Sequence, residues 1–137
     1  MSSQNQNGYL LLYRSSEWYK ALSQEDLQVV IQQNKAWIDR LTAQGKAKSG
    51  HPLERKGATV FGNNGQLVSD GPFAESKEVI GGYLLLDVET IEEAIAIAQS
   101  SPTLPYGTSI EVRPLAEECP LDVRAREFAR EEQFANP

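Results

Sequence analysis

The stretch Tyr83-Leu84-Leu85-Leu86-Asp87-Val88, followed by Glu89-Thr90-Ile91-Glu92-Glu93-Ala94-Ile95-Ala96-Ile97-Ala98, decides the fold of this chain. Its first half is apolar at consecutive positions, as expected of a strand that wants cover on both faces. Thr90 then caps a helix, Glu93 completes a capping box, and Ile91, Ala94, Ile95 and Ala98 give the helix its buried face. The same strand-then-helix unit stands upstream. Tyr9-Leu10-Leu11-Leu12-Tyr13 reads as a second doubly apolar strand. Ser23 is a natural N-cap, with Asp26 in the first turn and Leu22 and Leu27 spaced as a hydrophobic staple. The helix it opens carries an apolar stripe of Leu27, Val30, Ile31, Trp37, Ile38 and Leu41, and Gly45 closes it. Asn34 interrupts that stripe.

Between and beyond these units the remaining elements fall into place. Lys46 to Glu54, broken by Gly50 and Pro52, reads as a short or bent strand. Ala58 to Phe61 and Gln66 to Ser69 form a hairpin across Gly62-Asn63-Asn64-Gly65, residues that tolerate positive φ. A loop from Asp70 to Lys77 leads into the Tyr83 strand, and the last strand runs from Thr108 to Arg113 with Ile110 and Val112 alternating against polar neighbours. Pro120 starts a tail helix with Leu121, Ala125 and Phe128 on one side. Without the hairpin, the order is strand, helix, strand, strand, helix, strand. That is the ferredoxin-like split βαβ sandwich of the α+β class, with both helices on one face of an antiparallel sheet. The organisation expected is a disordered polar tail over 1–7, one domain over 8–115 and a helical tail over 116–137. Two helices cover one sheet face only, so a homodimer packing sheet against sheet is the simplest cover for the other.

Composition narrows the function. The chain has 137 residues, 40% hydrophobic and 23% charged, enough for one core. A net charge of −6 disfavours direct binding to nucleic acid, which needs a basic surface. No stretch approaches the roughly 20 apolar residues of a membrane span, and the polar start lacks a signal peptide's apolar core, so a cytoplasmic protein is expected. Cys119 is the only cysteine and stands beside Glu117 and Glu118, so an inert surface cysteine is expected. With one histidine and one cysteine, no thiolate or multi-histidine metal site forms within one chain, and no phosphate loop, nucleophile elbow or dinucleotide motif is present. No cofactor is expected.

Asp70-Gly71-Pro72-Phe73-Ala74-Glu75-Ser76-Lys77-Glu78, with Gly81-Gly82-Tyr83 after it, resembles the signature of the DGPF proteins within the YCII-related family. Tyr9 to Tyr13, Ser49-Gly50-His51-Pro52-Leu53 and Ile110-Glu111-Val112-Arg113-Pro114 extend the resemblance over roughly residues 8 to 115. The resemblance implies a bacterial, cytoplasmic, dimeric α/β barrel. It also brings two functional expectations: relatives that lie near or are fused to extracytoplasmic-function sigma factors, and a His–Asp pair suggested to be catalytic.

The candidate catalytic residues are Asp70, presented by a stiff Gly-Pro turn, and His51, the only imidazole. The candidate ligand-binding residues are Asn34, Phe73, Glu75, Lys77, Tyr83 and Arg113. Each has a plainer use: Asp70 in bonding turn amides, His51 in facing solvent, Phe73 in plugging the core, the charged residues in ion pairs, and Asn34 in bonding a neighbour. Two classes of function stay open on this reading. One is a protein that binds a small polar molecule, with cofactor-independent isomerase- or lyase-like acid–base chemistry if it is an enzyme. The other is a regulatory module partnered by a sigma factor.

Overall fold

The computed structural model describes residues 7–14, 17–62, 64–70 and 80–135, the side chains of 68–70 and 135 excepted. Its strands are β1 (Tyr9–Tyr13), β2 (Ala47–Pro52), β3 (Ala58–Phe61), β4 (Leu67–Asp70), β5 (Gly82–Leu86) and β6 (Ile110–Pro114). Its α-helices are α1 (Gln24–Ala43), α2 (Ile91–Gln99) and α3 (Pro120–Ala135). Four strands form one antiparallel sheet in the order β2-β5-β1-β6, while β3 and β4 make a separate ribbon. With the ribbon set aside, this is the expected split βαβ arrangement, in which each crossover helix returns the chain to a non-adjacent strand.

The helix starts follow from their caps. The Ser23 hydroxyl accepts from the Asp26 amide at 3.1 Å and the Thr90 hydroxyl from the Glu93 amide at 3.2 Å, each satisfying a donor with no partner in the helix. The Glu93 carboxylate meets Lys46 Nζ at 3.3 Å, tying the start of α2 to the start of β2. Gly45, at φ +74°, ends α1 in the left-handed conformation its position requires.

Register sorts the side chains into two faces. Tyr9 pairs with Leu86 and Leu11 with Leu84, and these four are buried under α1 and α2 together with Trp37, Leu41, Ala94, Ile97 and Ala98. Trp37 Nε1 donates to Ser100 Oγ at 2.8 Å, so the two helices are joined by a polar bond as well as by packing. Two stripe positions differ from expectation. Ile97, not Ile95, is buried: the covered face of α2 is centred on Ala94 and Ala98 and continues into Ser101, leaving Ile95 40% exposed. Ile31 is 51% exposed although it stands on the same stripe as the buried Val30, Trp37 and Leu41.

The opposite sheet face carries Leu10, Leu12, Tyr83 and Leu85, all half-buried, with neither α1 nor α2 over them. The ribbon adds little to the core: Val60, Phe61 and Leu67 are exposed. Its second strand starts one residue later than the sequence suggests, and Asp70 ends β4 paired with Ala58 rather than opening the following loop. Along α3, Leu121, Phe128 and Phe134 are exposed, and the Arg124 guanidinium lies 3.9 Å over the Phe128 ring. No helix among the described residues is long and apolar enough to cross a membrane.

Leu11 has no exposed surface, so Leu11→Ala leaves a cavity and is expected to cost about 3 kcal/mol in denaturant unfolding. Val60→Ala, on the 63% exposed ribbon position, is expected to change stability by less than about 0.5 kcal/mol.

Candidate functional site

A cavity of about 450 Å³ opens between α1 and the end of the sheet formed by β2 and β5. That size is ordinary for a small-molecule site. Local sequence explains why the sheet is hollow there. On the helix-facing side, Gly50 lies opposite Leu84 and Gly82 opposite both Pro52 and Tyr13, so each of two successive rungs has one position without a side chain. A Cβ on Gly50 would come within 2.8 Å of the Tyr83 carbonyl oxygen and 2.9 Å of Leu84 Cδ1, so no larger residue fits. The hollow is thus framed by the backbone.

Above these glycines α1 presents Asn34, Ile38 and Thr42, one helical turn apart from each other. The Thr42 hydroxyl is used up in a 2.8 Å bond to the Ile38 carbonyl. Asn34 is different: its Oδ1 is buried and has no hydrogen-bond partner among the described residues. Such an acceptor costs about 1–3 kcal/mol relative to a satisfied one. The side wall is Trp18 and Tyr19, on a 3-10 turn (Trp18–Ala21) between β1 and α1, their rings edge-on at 6.0 Å between centroids.

One lining residue, Thr103, belongs to a set of neutral hydroxyls. Thr103 Oγ1 lies 2.9 Å from Ser101 Oγ and 2.9 Å from Thr108 Oγ1, and all three residues are buried. Tyr13 is next to them. Burial pushes its phenol up from 10.0 to about 12, against a smaller opposite effect of its bond to Ser101. Tyr13 therefore keeps its proton at neutral pH and is a constant donor. Among the described residues the lining holds no carboxylate, and its one lysine, Lys48, is exposed and lies 3.4 Å from Asp87. Among the described residues no group of three His, Cys, Asp or Glu is placed to hold a metal.

The sequence candidates separate on this frame. Asn34, His51 and Tyr83 border the cavity. His51 and Tyr83 are register partners, with His51 exposed on the edge strand. Arg113 does not border the cavity; it is on β6, exposed, 3.6 Å from Glu111 of its own strand rather than in a cross-strand pair. Glu111 in turn accepts from Arg14 at 2.6 Å, across β1. The Asp70 backbone is in the ribbon, while its side chain and all of Phe73, Glu75 and Lys77 lie outside the described residues. Tyr13, Trp18, Tyr19 and Thr103 were not singled out by pattern. A signal existed for the hollow itself, in two glycines at strand positions, Gly50 and Gly82.

Comparison with known proteins adds the following. The YCII-related domain matches residues 10–120. An uncharacterised protein of Rhizobium meliloti (strain 1021) is 47% identical over 51 residues, 36% of this chain, and the chain spans 41% of that relative's length. Among solved structures, 5-chloro-2-hydroxyhydroquinone dehydrochlorinase from Burkholderia phenoliruptrix AC1100, in complex with 2,5-dihydroxybenzoquinone, aligns over 80% of this chain and 95% of its own. The TM-score is 0.43 and the identity 20%, a likeness too distant to transfer a ligand.

The Tyr13 shift predicts a pH effect of definite sign. Its folded value lies above its unfolded one, so its contribution to stability is complete below pH 10.0 and is lost as pH rises towards about 12. Tyr13→Phe should remove the latest-ionising phenol from the ultraviolet titration and lessen the fall in stability over that window.

Proposed function

This chain belongs to the YCII-related domain family, and from that premise we propose that it binds a small polar organic molecule in the cavity between α1 and the β2–β5 edge. The observation that carries this reading is Asn34 Oδ1, a buried acceptor without a partner at the wall of a molecule-sized hollow. A folded protein leaves such an atom unpaired at a cost, and a ligand donor repays it. The bound molecule places an N–H or O–H group against Asn34, meets the Tyr13 phenol, and packs on Trp18 and Tyr19. Ser49 to Pro52 and Gly81 to Tyr83, within segments that carry the family resemblance, both border this hollow, which also supports locating the function there.

His51, the chain's only imidazole, pairs with Tyr83 on the sheet face away from α1, so an acid–base role for it falls at the rim of the edge strand and not over the cavity floor. Tyr13, held protonated, orients the ligand rather than taking its proton. Asp70 remains the sequence's candidate partner for His51. A second copy of the chain covers the sheet face of Leu10, Leu12 and Leu85; apolar residues on the side away from α1 and α2 support this arrangement.

Replacing Asn34 tests the binding reading in two independent measurements. Asn34→Leu should raise the stability of the unliganded protein by about 1 kcal/mol, because an unsatisfied acceptor is removed. It should also weaken, by about tenfold or more, every compound that stabilises the wild-type protein in a thermal-shift screen of small polar molecules. Equal binding by the variant would refute the site. For assembly, sedimentation should give a dimer for the wild-type chain and a monomer for Leu85→Lys; a wild-type monomer would refute the sheet-to-sheet arrangement.

A further inference from the structure

A second hollow, of about 210 Å³, adjoins the first on the N-terminal side of α1. The two share Trp18, Tyr19, Asn34 and Thr103, so these four residues form a partition rather than an outer wall. The rest of the second hollow's lining is Leu27, Val30 and Ile31, wholly aliphatic. The two compartments therefore differ in chemistry. The larger has the phenol, hydroxyls and backbone of the sheet edge; the smaller offers hydrocarbon. Asn34 Oδ1, unpaired, stands at their junction.

Resting on the proposed function, we infer that the two hollows form one bipartite site for an uncharged amphiphile, with its N–H or O–H donor at Asn34 and a short alkyl or aryl substituent in the aliphatic annex. Charge supports the neutral class. Among the described residues no carboxylate lines either hollow, so an organic cation finds no counter-ion there; Lys48, already beside Asp87 and exposed, is the only lysine or arginine of the described linings. An ion drawn into such a site loses its hydration without a charge in return. The aliphatic lining gives the annex its selectivity. Away from the shared partition it presents only Leu27, Val30 and Ile31, and each methylene buried against them gains the usual transfer energy. The exposure of Ile31, which looks like a fault in the helix stripe, is explained as well: that side chain borders the annex instead of the core. Residue 34 can then be polar on an apolar stripe because it sits where two hollows meet.

Straight-chain primary amides from propanamide to hexanamide are the probe, since their amide N–H matches the acceptor at Asn34. Binding is followed by NMR chemical-shift titration of the full chain. The wild-type protein should bind each longer amide about three- to fourfold more tightly than the one before, until the annex is full. Ile31→Trp, which fills the annex from its exposed side, should abolish this length dependence. Val29→Trp, at a 46% exposed position on the same helix that lines neither hollow, should retain it. Ile31→Ala serves if the tryptophan variant fails to fold, and should move the best chain length upward by one or more carbons. Length dependence unchanged in Ile31→Trp and Ile31→Ala, or absent from the wild-type protein, overturns the annex while leaving the binding reading intact. Failure of every amide to bind overturns both.

Discussion

The central pairing of β1 between β5 and β6 is the constraint on which the rest of this molecule depends. Neither neighbour is adjacent to β1 in sequence, so each contact closes a long loop, and only the burial of Tyr9, Leu11, Leu84 and Leu86 under the helices offsets that entropy. With β1 in place, β2 pairs on the outer side of β5, and α1 crosses above that edge. The cavity lies where α1 crosses. Its position is a consequence of topology, and its volume a consequence of what residues stand on the last rungs.

Those rungs show how the site and the core share one surface. Leu11, Leu84 and Leu86 fill the centre, whereas Gly50 and Gly82 leave the end of the same face bare. A sheet optimised for stability would carry larger side chains there, with α1 packed down upon them. Instead the glycines hold the helix-facing side open, and Asn34 brings an amide to a position where an aliphatic residue would be more stable. Local sacrifice of stability is what a binding site requires, because a group satisfied by its own chain has nothing left to offer a ligand.

The remaining polar groups fit the same pattern. Tyr13, Ser101, Thr103 and Thr108 form a neutral cluster whose members are bonded to one another or held protonated by burial. The charged residues of the sheet stand in pairs, Arg14 with Glu111 and the cavity-lining Lys48 with Asp87. A site built this way recognises hydrogen-bonding pattern and shape, with little long-range electrostatic pull.

What the sequence determined by itself was local or periodic. The caps at Ser23 and Thr90, the doubly apolar strands at 9–13 and 83–86 and the order of elements together specify the fold, because each depends on residues near one another in the chain. Asn34 was legible as an anomaly for the same reason, being a polar residue on a countable stripe. Tertiary structure alone decided what that anomaly was for. It brought Gly50 opposite Leu84, Gly82 opposite Tyr13, and the Trp18 turn beside α1, contacts between segments whose separation leaves no mark in any local pattern. It also exchanged Ile97 for Ile95 and set Ile31 outside the core, since helical spacing gives the stripe but only packing gives its tilt. A cavity is an absence of side chains from several strands and helices at once, and no single stretch of sequence can record it.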